Sequence, residues 1–346
     1  MTTVSSQRLA VTSKTGADPM FRRIAICSLL TVFLFTISPA SAQQPAKIPR
    51  VAYVLATSAS AVPARVGAFR QGLRDLGYDE GKNIIIEWRS AEGKLERLPA
   101  LLQELVHLKV DVIVSGGPES TRDAKEATSS VPIIMTQDPD PVANKFVASL
   151  ARPGGNITGL SNLAPELSGK RLELLKETIP KLSRVAILGT STGPGNAKAL
   201  KEMEAATLSF GVKIQYLDVL SSKDIETAFR AAIKGRAEAI ITLSSPVLNS
   251  NRAKVVEFAV KNRLPAIYHN SLYIEDGGLM FYGVKLADLD RRAATYVDKI
   301  LKGSKPADLP VEQPMKFEFI INLKAAKQIG LTIPPNVLVR ADRVIR

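Results

Sequence analysis

Residues 189–193 read Gly-Thr-Ser-Thr-Gly and fit the pattern G-x-S-x-G. The run follows the apolar stretch Val185–Leu188 and precedes a helix-like segment. A hydrolase nucleophile elbow needs that context, because a sharp strand-to-helix turn lifts a serine hydroxyl above the sheet. Ser191 would be the nucleophile, His269 the base, and Asp218 or Asp224 the acid. Two neighbours argue against the elbow. Pro194-Gly195 follow at once, and glycine is a poor residue for a first helical turn, so the loop is expected to run on past Ser191. The matching place in the first half of the chain holds Thr57-Ser58 without flanking glycines. A hydroxyl in each half suits gripping a ligand better than a single nucleophile does. No catalytic residue is therefore assigned, and a secreted serine hydrolase built on Ser191 and His269 stands as the alternative.

Other chemistries find less support. Gly193-Pro194-Gly195 begins a G-x-G turn, but Lys198 occupies the third glycine position, and no G-x-x-x-x-G-K-[ST] run occurs. The chain has two histidines and one cysteine, Cys27, so no metal site and no cofactor are expected. The formal charge is +13, of which Arg8, Lys14, Arg22 and Arg23 against Asp18 supply +3 within residues 1–42. The remaining basic residues are spread among acids on helix-like stretches, and aromatic residues make up 5% of the chain. That pattern reads as a solvated basic surface and gives no nucleic-acid partner.

The N-terminal segment sets the expected compartment. Arg22-Arg23 precede the apolar run Ile24–Ile37, and Ala40-Ser41-Ala42 has the small-x-small form of a cleavage site. A positive region, a short apolar region and such a site make a secretory signal over residues 1–42, with Gln43 the first mature residue. Residues 1–19 are unlike a signal, so Met20 is an alternative start, and the paired arginines leave the twin-arginine route open beside the general one. The expected location is the periplasm. Cys27 would be removed with the signal, leaving a mature chain with no thiol.

The elements that must position these loops appear twice. Arg50 opens "RVAYVLATS" and Arg184 opens "RVAILGTS"; Gly77 and Gly211 each stand 27 residues further on. Pro132 in "VPIIMT" answers Pro265 in "LPAIYHN", and "GGNITGL" answers "GGLMFYG". Landmarks in the same order at nearly equal spacing imply a duplicated architecture. The runs Val51–Leu55, Ile84–Ile86, Val110–Val114 and Ile133–Met135 are apolar without alternation, as strands buried on both faces are. Phe69, Leu73 and Leu76, and Leu98, Leu101, Leu102 and Leu105, fall on single helical faces. Alternating strands and helices imply an α/β fold with parallel sheets, here as two Rossmann-like lobes.

Ligands of open parallel sheets bind beyond the carboxyl ends of the strands. Those ends are the loops 56–63, 115–120, 136–141, 189–196, 244–249 and 268–273, rich in Ser, Thr, Asn, Gly and Pro. Each loop alone is explained by turn and cap chemistry. Six on one edge of two sheets predict a ligand cleft between the lobes. The candidate ligand contacts are Ser58, Ser60, Glu119, Ser120 and Gln137 from the first lobe, and Ser191, Thr192, Ser245, Tyr268 and Asn270 from the second. Trp88, the only tryptophan, is expected to pack between sheet and helix.

The segments "QGLRDLGYDEGKNIIIEWRSAEGK" (71–94), "SLARPGGNITGLS" (149–161), "KRLELLKETIP" (170–180), "LPAIY" (264–268), "GGLMFYG" (277–283) and the run 296–345 resemble ABC-transporter substrate-binding proteins. The particular family is the one whose better-known members bind aromatic amino acids such as tryptophan. The resemblance implies a type I periplasmic-binding-protein fold, with a hinge crossed several times and closure around a small solute. It also implies an ABC permease and its ATPase as partners. The lobes it suggests are 43–162 with about 285–312, and 163–284 with about 313–346; the protein is expected to be a monomer. Ser244-Ser245 stand where the amino-acid binders carry Asp-Asn, so the ligand is left as an amino acid or another small polar or aromatic solute. A periplasmic sensor that binds the same kind of ligand without transport is the further alternative.

Overall fold

The computed structural model describes residues 47–346, so the predicted signal and its cleavage site after Ala42 lie outside the described residues. Five strands form the first sheet: β1 (Arg50–Leu55), β2 (Ile85–Ser90), β3 (Val112–Ser115), β4 (Ile133–Asp138) and β5 (Ile157–Ser161), in the order β2-β1-β3-β4-β5 and all parallel. The connecting helices are α1 (Pro63–Asp75), α2 (Leu98–His107) and α3 (Pro118–Ala127). Residues of β1 alternate between two cores. Val51, Tyr53 and Leu55 face one, and Ala52 and Val54 face the other. A period of two with both faces apolar is what a doubly covered sheet demands.

The second half repeats the plan. It contains α4 (Glu166–Thr178), β6 (Arg184–Gly189), α5 (Asn196–Phe210), β7 (Lys213–Asp218), α6 (Asp224–Lys234), β8 (Ala239–Thr242), α7 (Pro246–Ser250), α8 (Arg252–Lys261), β9 (Ala266–Tyr268), α9 (Leu272–Glu275) and β10 (Met280–Gly283). Its strands run β7-β6-β8-β9-β10, the order of the first sheet. The duplication legible in the sequence is thus a duplication of topology, and the two α/β lobes of a type I periplasmic-binding-protein fold result.

The C-terminal segment returns to both lobes. Helix α10 (Leu286–Leu301) packs on the first sheet beside α1, with Leu289, Ala293, Tyr296 and Val297 in the core that holds Tyr53 and Phe69. The approach of α1 to α10 is close: a Cβ on Gly72 would lie 2.5 Å from the Arg291 carbonyl oxygen. The chain then passes beside β5, where the Ser161 N–H donates to the Glu312 carbonyl at 2.9 Å and the Glu312 N–H to that of Gly159 at 3.0 Å. It rejoins the second sheet as β11 (Glu318–Asn322), followed by α11 (Leu323–Gln328), α12 (Pro335–Leu338) and β12 (Arg343–Ile345). β11 is antiparallel to β10, with Gly283 opposite Glu318. The expectation of purely parallel sheets therefore meets one exception. The returning chain enters beside the carboxyl end of β10 and can only run back along it.

Candidate functional site

The cavity at the carboxyl edges of both sheets encloses about 830 Å³ between its lining atoms, open mouth included. The first lobe contributes Thr57 after β1, Gly116–Glu119 after β3 and Gln137 in β4. The second contributes Ser244 after β8, Asn249 on α7, Arg252 on α8 and His269-Asn270 after β9. Asn162, Ala164 and Val284, where the chain passes between the sheets, and Leu167 and Arg171 on α4 complete the wall.

Three arginines line the cavity, and their partners differ. Arg65 donates from Nε to Asp290 Oδ2 at 2.6 Å and from Nη2 to the Gly116 carbonyl at 2.9 Å and Thr136 Oγ1 at 3.2 Å. Tyr53 donates its hydroxyl to the same Asp290, whose side chain is wholly buried. Burial, then the Asp290 charge, pushes the Tyr53 phenol well above its ordinary pKa. Arg252 pairs with Asp276, Nε to Oδ2 at 2.6 Å, and donates from Nη1 across the cleft to the Ala61 carbonyl at 3.1 Å. Arg171 is 2% exposed and has no acidic partner among the described residues. It donates to two carbonyls, Nε to Tyr282 at 2.8 Å and Nη1 to Ala164 at 3.3 Å. Burial lowers its pKa to about 10, so it stays cationic at neutral pH.

Glu119 stands in the first turn of α3, after the N-cap Gly117, and burial lifts its carboxyl to about 7 against the pull of its own N–H. Asp138 is lifted to about 7 for the same reason, despite hydrogen bonds from Asn144 Nδ2 at 3.0 Å and the Asp140 N–H at 2.9 Å. His269 moves the other way. Burial and then the Arg171 charge lower it to about 3, so the ring is neutral. Its Nδ1 lies 2.9 Å from Thr242 Oγ1, and its Nε2 is buried without a partner. Asn249 Oδ1 is likewise buried and unpartnered.

Of the ten residues selected from sequence, Glu119, Gln137 and Asn270 line this cavity. The structure gives the other seven different surroundings. Ser58 and Ser60 hydrogen-bond each other at 2.5 Å on an exposed turn. Ser120 Oγ bonds Ser115 Oγ at 3.0 Å and donates to the Gly117 carbonyl at 2.9 Å, inside the first turn of α3. Ser245 caps α7, accepting from the Leu248 N–H at 3.2 Å, and meets Thr190 Oγ1 at 2.7 Å. Tyr268 stacks on Tyr273 at 4.6 Å within the second lobe's core. Ser191 and Thr192 are exposed. Ser191 donates from Oγ to Asp218 Oδ2 at 2.6 Å, and α5 starts only at Asn196. A serine bonded straight to a carboxylate, away from His269, has none of the base contact a nucleophile requires.

Arg171, Arg252 and Asn249 are cavity residues that sequence reasoning passed over, and His269 was weighed only as a base. Arg171 had a signal. With Leu167 and Leu175 it occupies the i−4, i, i+4 row of α4, so it falls on the buried face of a helix that looks basic and solvated. Trp88 packs as expected, stacked on Tyr53 at 5.0 Å and edge-on to Phe69 at 6.2 Å.

Two parallel-sheet lobes meeting at a cavity of mixed polar and apolar lining define a solute-binding protein of the periplasmic type. Residues 50–345 match the family described as ABC transporter substrate binding protein, and the chain belongs to it. It is 25% identical over 263 residues to a tyrosine-binding protein of Clostridioides difficile, covering 76% of this chain and 75% of that one. A conserved domain protein of Vibrio cholerae superposes with a TM-score of 0.82 at 28% identity, over 86% of this chain and all (100%) of that one. An ABC domain from Streptococcus pneumoniae in complex with L-Trp superposes with a TM-score of 0.78 at 25% identity, over 85% of this chain and 100% of that one.

Proposed function

We propose that this protein captures a small solute between its lobes, outside the cytoplasm, and delivers it to an ABC importer made of a permease and its ATPase. The observation that carries the reading is the cavity's position, walled by strand ends from both sheets and bridged by Arg252 to the Ala61 carbonyl. A solute touching both lobes would favour the closed form, and that form is what a permease would read. No bond is made or broken in this reading. The chain would be exported by its N-terminal signal and cleaved after Ala42, act as a monomer in the periplasm, and hinge at 162–165, 284–285 and 313–317. Those segments would divide it into lobes 43–162 with 285–312, and 163–284 with 313–346. Glu119, Gln137 and Asn270 are the proposed solute contacts among the residues first chosen.

The tyrosine-binding relative and the L-Trp complex make L-tyrosine and L-tryptophan the first probes. Mass spectrometry of what leaves the purified protein on denaturation should reveal one dominant small molecule. Adding it back to emptied protein should give one-site binding in a calorimetric titration. A protein that releases nothing, and is stabilised by no amino acid or other small solute, would refute the reading.

A further inference from the structure

We infer that the cleft receives the anionic end of its solute on the second lobe, between the Arg171 guanidinium and the His269 Nε2–H. The inference rests on the cleft being the solute site, and names the chemical class it takes: a solute bearing a carboxylate or an equivalent anion.

The charges of the cavity point there. Arg65 and Arg252 are neutralised by Asp290 and Asp276. Arg171 lines the same cavity, is as deeply buried as Arg65, and meets only carbonyl oxygens. A buried cation without a counter-ion is costly, and an anion arriving with the ligand offsets that cost. Glu119 does not serve, because no ion pair joins it to Arg171.

His269 supplies a second donor by a chain of hydrogen bonds. Thr242 Oγ1 accepts from the His269 backbone N–H at 3.3 Å, and its own proton has the His269 Nδ1, 2.9 Å away, as acceptor. An accepting Nδ1 places the ring proton on Nε2. That N–H is buried, lacks an acceptor, and lies close enough to Arg171 for the guanidinium to depress the ring's protonation. A neutral donor beside a cation suits an anion's two oxygens, with charge-assisted hydrogen bonds on one side. The hydroxyls named from sequence as ligand contacts are already engaged, Ser120 and Ser245 at helix starts and Ser191 on Asp218.

The test uses matched probes: L-tryptophan and L-tyrosine, their primary amides, the monocarboxylate indole-3-acetate, the dicarboxylate succinate, and uncharged glucose and inositol. Thermal stabilisation of the emptied protein is read for each. At least one carboxylate should stabilise it while the corresponding amide binds about ten- to a hundred-fold more weakly. Arg171→Gln should abolish the preference for acid over amide, and His269→Gln, which retains an N–H donor, should lessen it. Should Arg171→Gln misfold, the wild type still decides. His107 is the only other imidazole, so ¹⁵N-histidine spectra should show the His269 Nε2–H shift with the carboxylate and not with the amide. Amides that bind as well as acids, or stabilisation by the uncharged probes alone, would overturn the anion subsite and leave the cleft standing. A solute released on denaturation that carries no anionic group would overturn the subsite alone, whereas no release together with stabilisation by no small solute would take both readings down.

Discussion

A carboxyl group buried without an ion pair resists ionising, and Glu119 is 5% exposed, with burial outweighing the pull of the Arg122 charge. Its pKa in the folded protein is about 7, above the 4.5 of an ordinary glutamate. Between those values the folded chain holds a proton that the unfolded chain gives up. The stabilisation is therefore full below about pH 4.5 and is lost as pH rises through about 7. Melting of ligand-free wild type and Glu119→Gln at pH 5 and pH 8 checks this. The variant should gain on the wild type at pH 8 by on the order of 2–3 kcal/mol relative to pH 5. A difference between the two proteins that does not change with pH would mean Glu119 titrates normally. The side chains at this scale were only partly legible. Glu119 and Gln137 follow from their place at strand ends, whereas serines in such loops mostly serve the backbone. Which hydroxyl is already committed depends on neighbours tens of residues away, such as Asp218 for Ser191.

Helix α10 is held to the first sheet by a buried polar knot as well as by its apolar face. Asp290, with no exposed surface, accepts from Arg65 at 2.6 Å and also from Tyr53. Removing the acid would leave a buried guanidinium and a phenol uncompensated, so Asp290→Ala should cost about 3–5 kcal/mol in urea unfolding. The double variant Arg65→Met/Asp290→Leu should lose much less, since it removes both charges and keeps the volume. A double variant as unstable as the single one would show that packing, and not charge, is what Asp290 supplies. The central strands were legible because they are apolar on both faces; the apolar run 51–55 became Arg50–Leu55, and 133–135 became Ile133–Asp138. The reversal at β11 was not, because the direction of a strand depends on where the chain re-enters the sheet, and composition carries no record of that.

Across the whole molecule, the lobes touch at a second place. Lys198 on α5 reaches Asp140, in the loop after β4, at 2.6 Å and Glu166 at 2.8 Å. Beside it Gly195, with a φ of +81°, lies so near Pro139 that a Cβ would come within 2.5 Å of the ring. This ion pair would act as a weak clasp on closure. Lys198→Ala should shift the solute-free protein toward the open form, seen as a larger radius of gyration in X-ray scattering. A half-exposed pair is worth up to about 1 kcal/mol, so affinity for the bound solute should fall by roughly fivefold at most. The loss should shrink as salt rises. An unchanged radius together with unchanged affinity would show that the clasp contributes nothing to closure.

The path of α10 has a bearing on how the protein is made. All five strands of the first sheet are complete at Ser161, yet the helix that seals the Tyr53–Phe69 face ends at Leu301. Between the two, the chain has built β6 through β10. During synthesis, the first sheet thus waits with one face uncovered and with Arg65 lacking its acid, while the sheet that is begun later gathers most of its strands. A nascent chain stopped before Leu286 would carry that open face into solution, where chaperones recognise exposed apolar surface. The N-terminal lobe is the first to be translated and among the last parts to be finished.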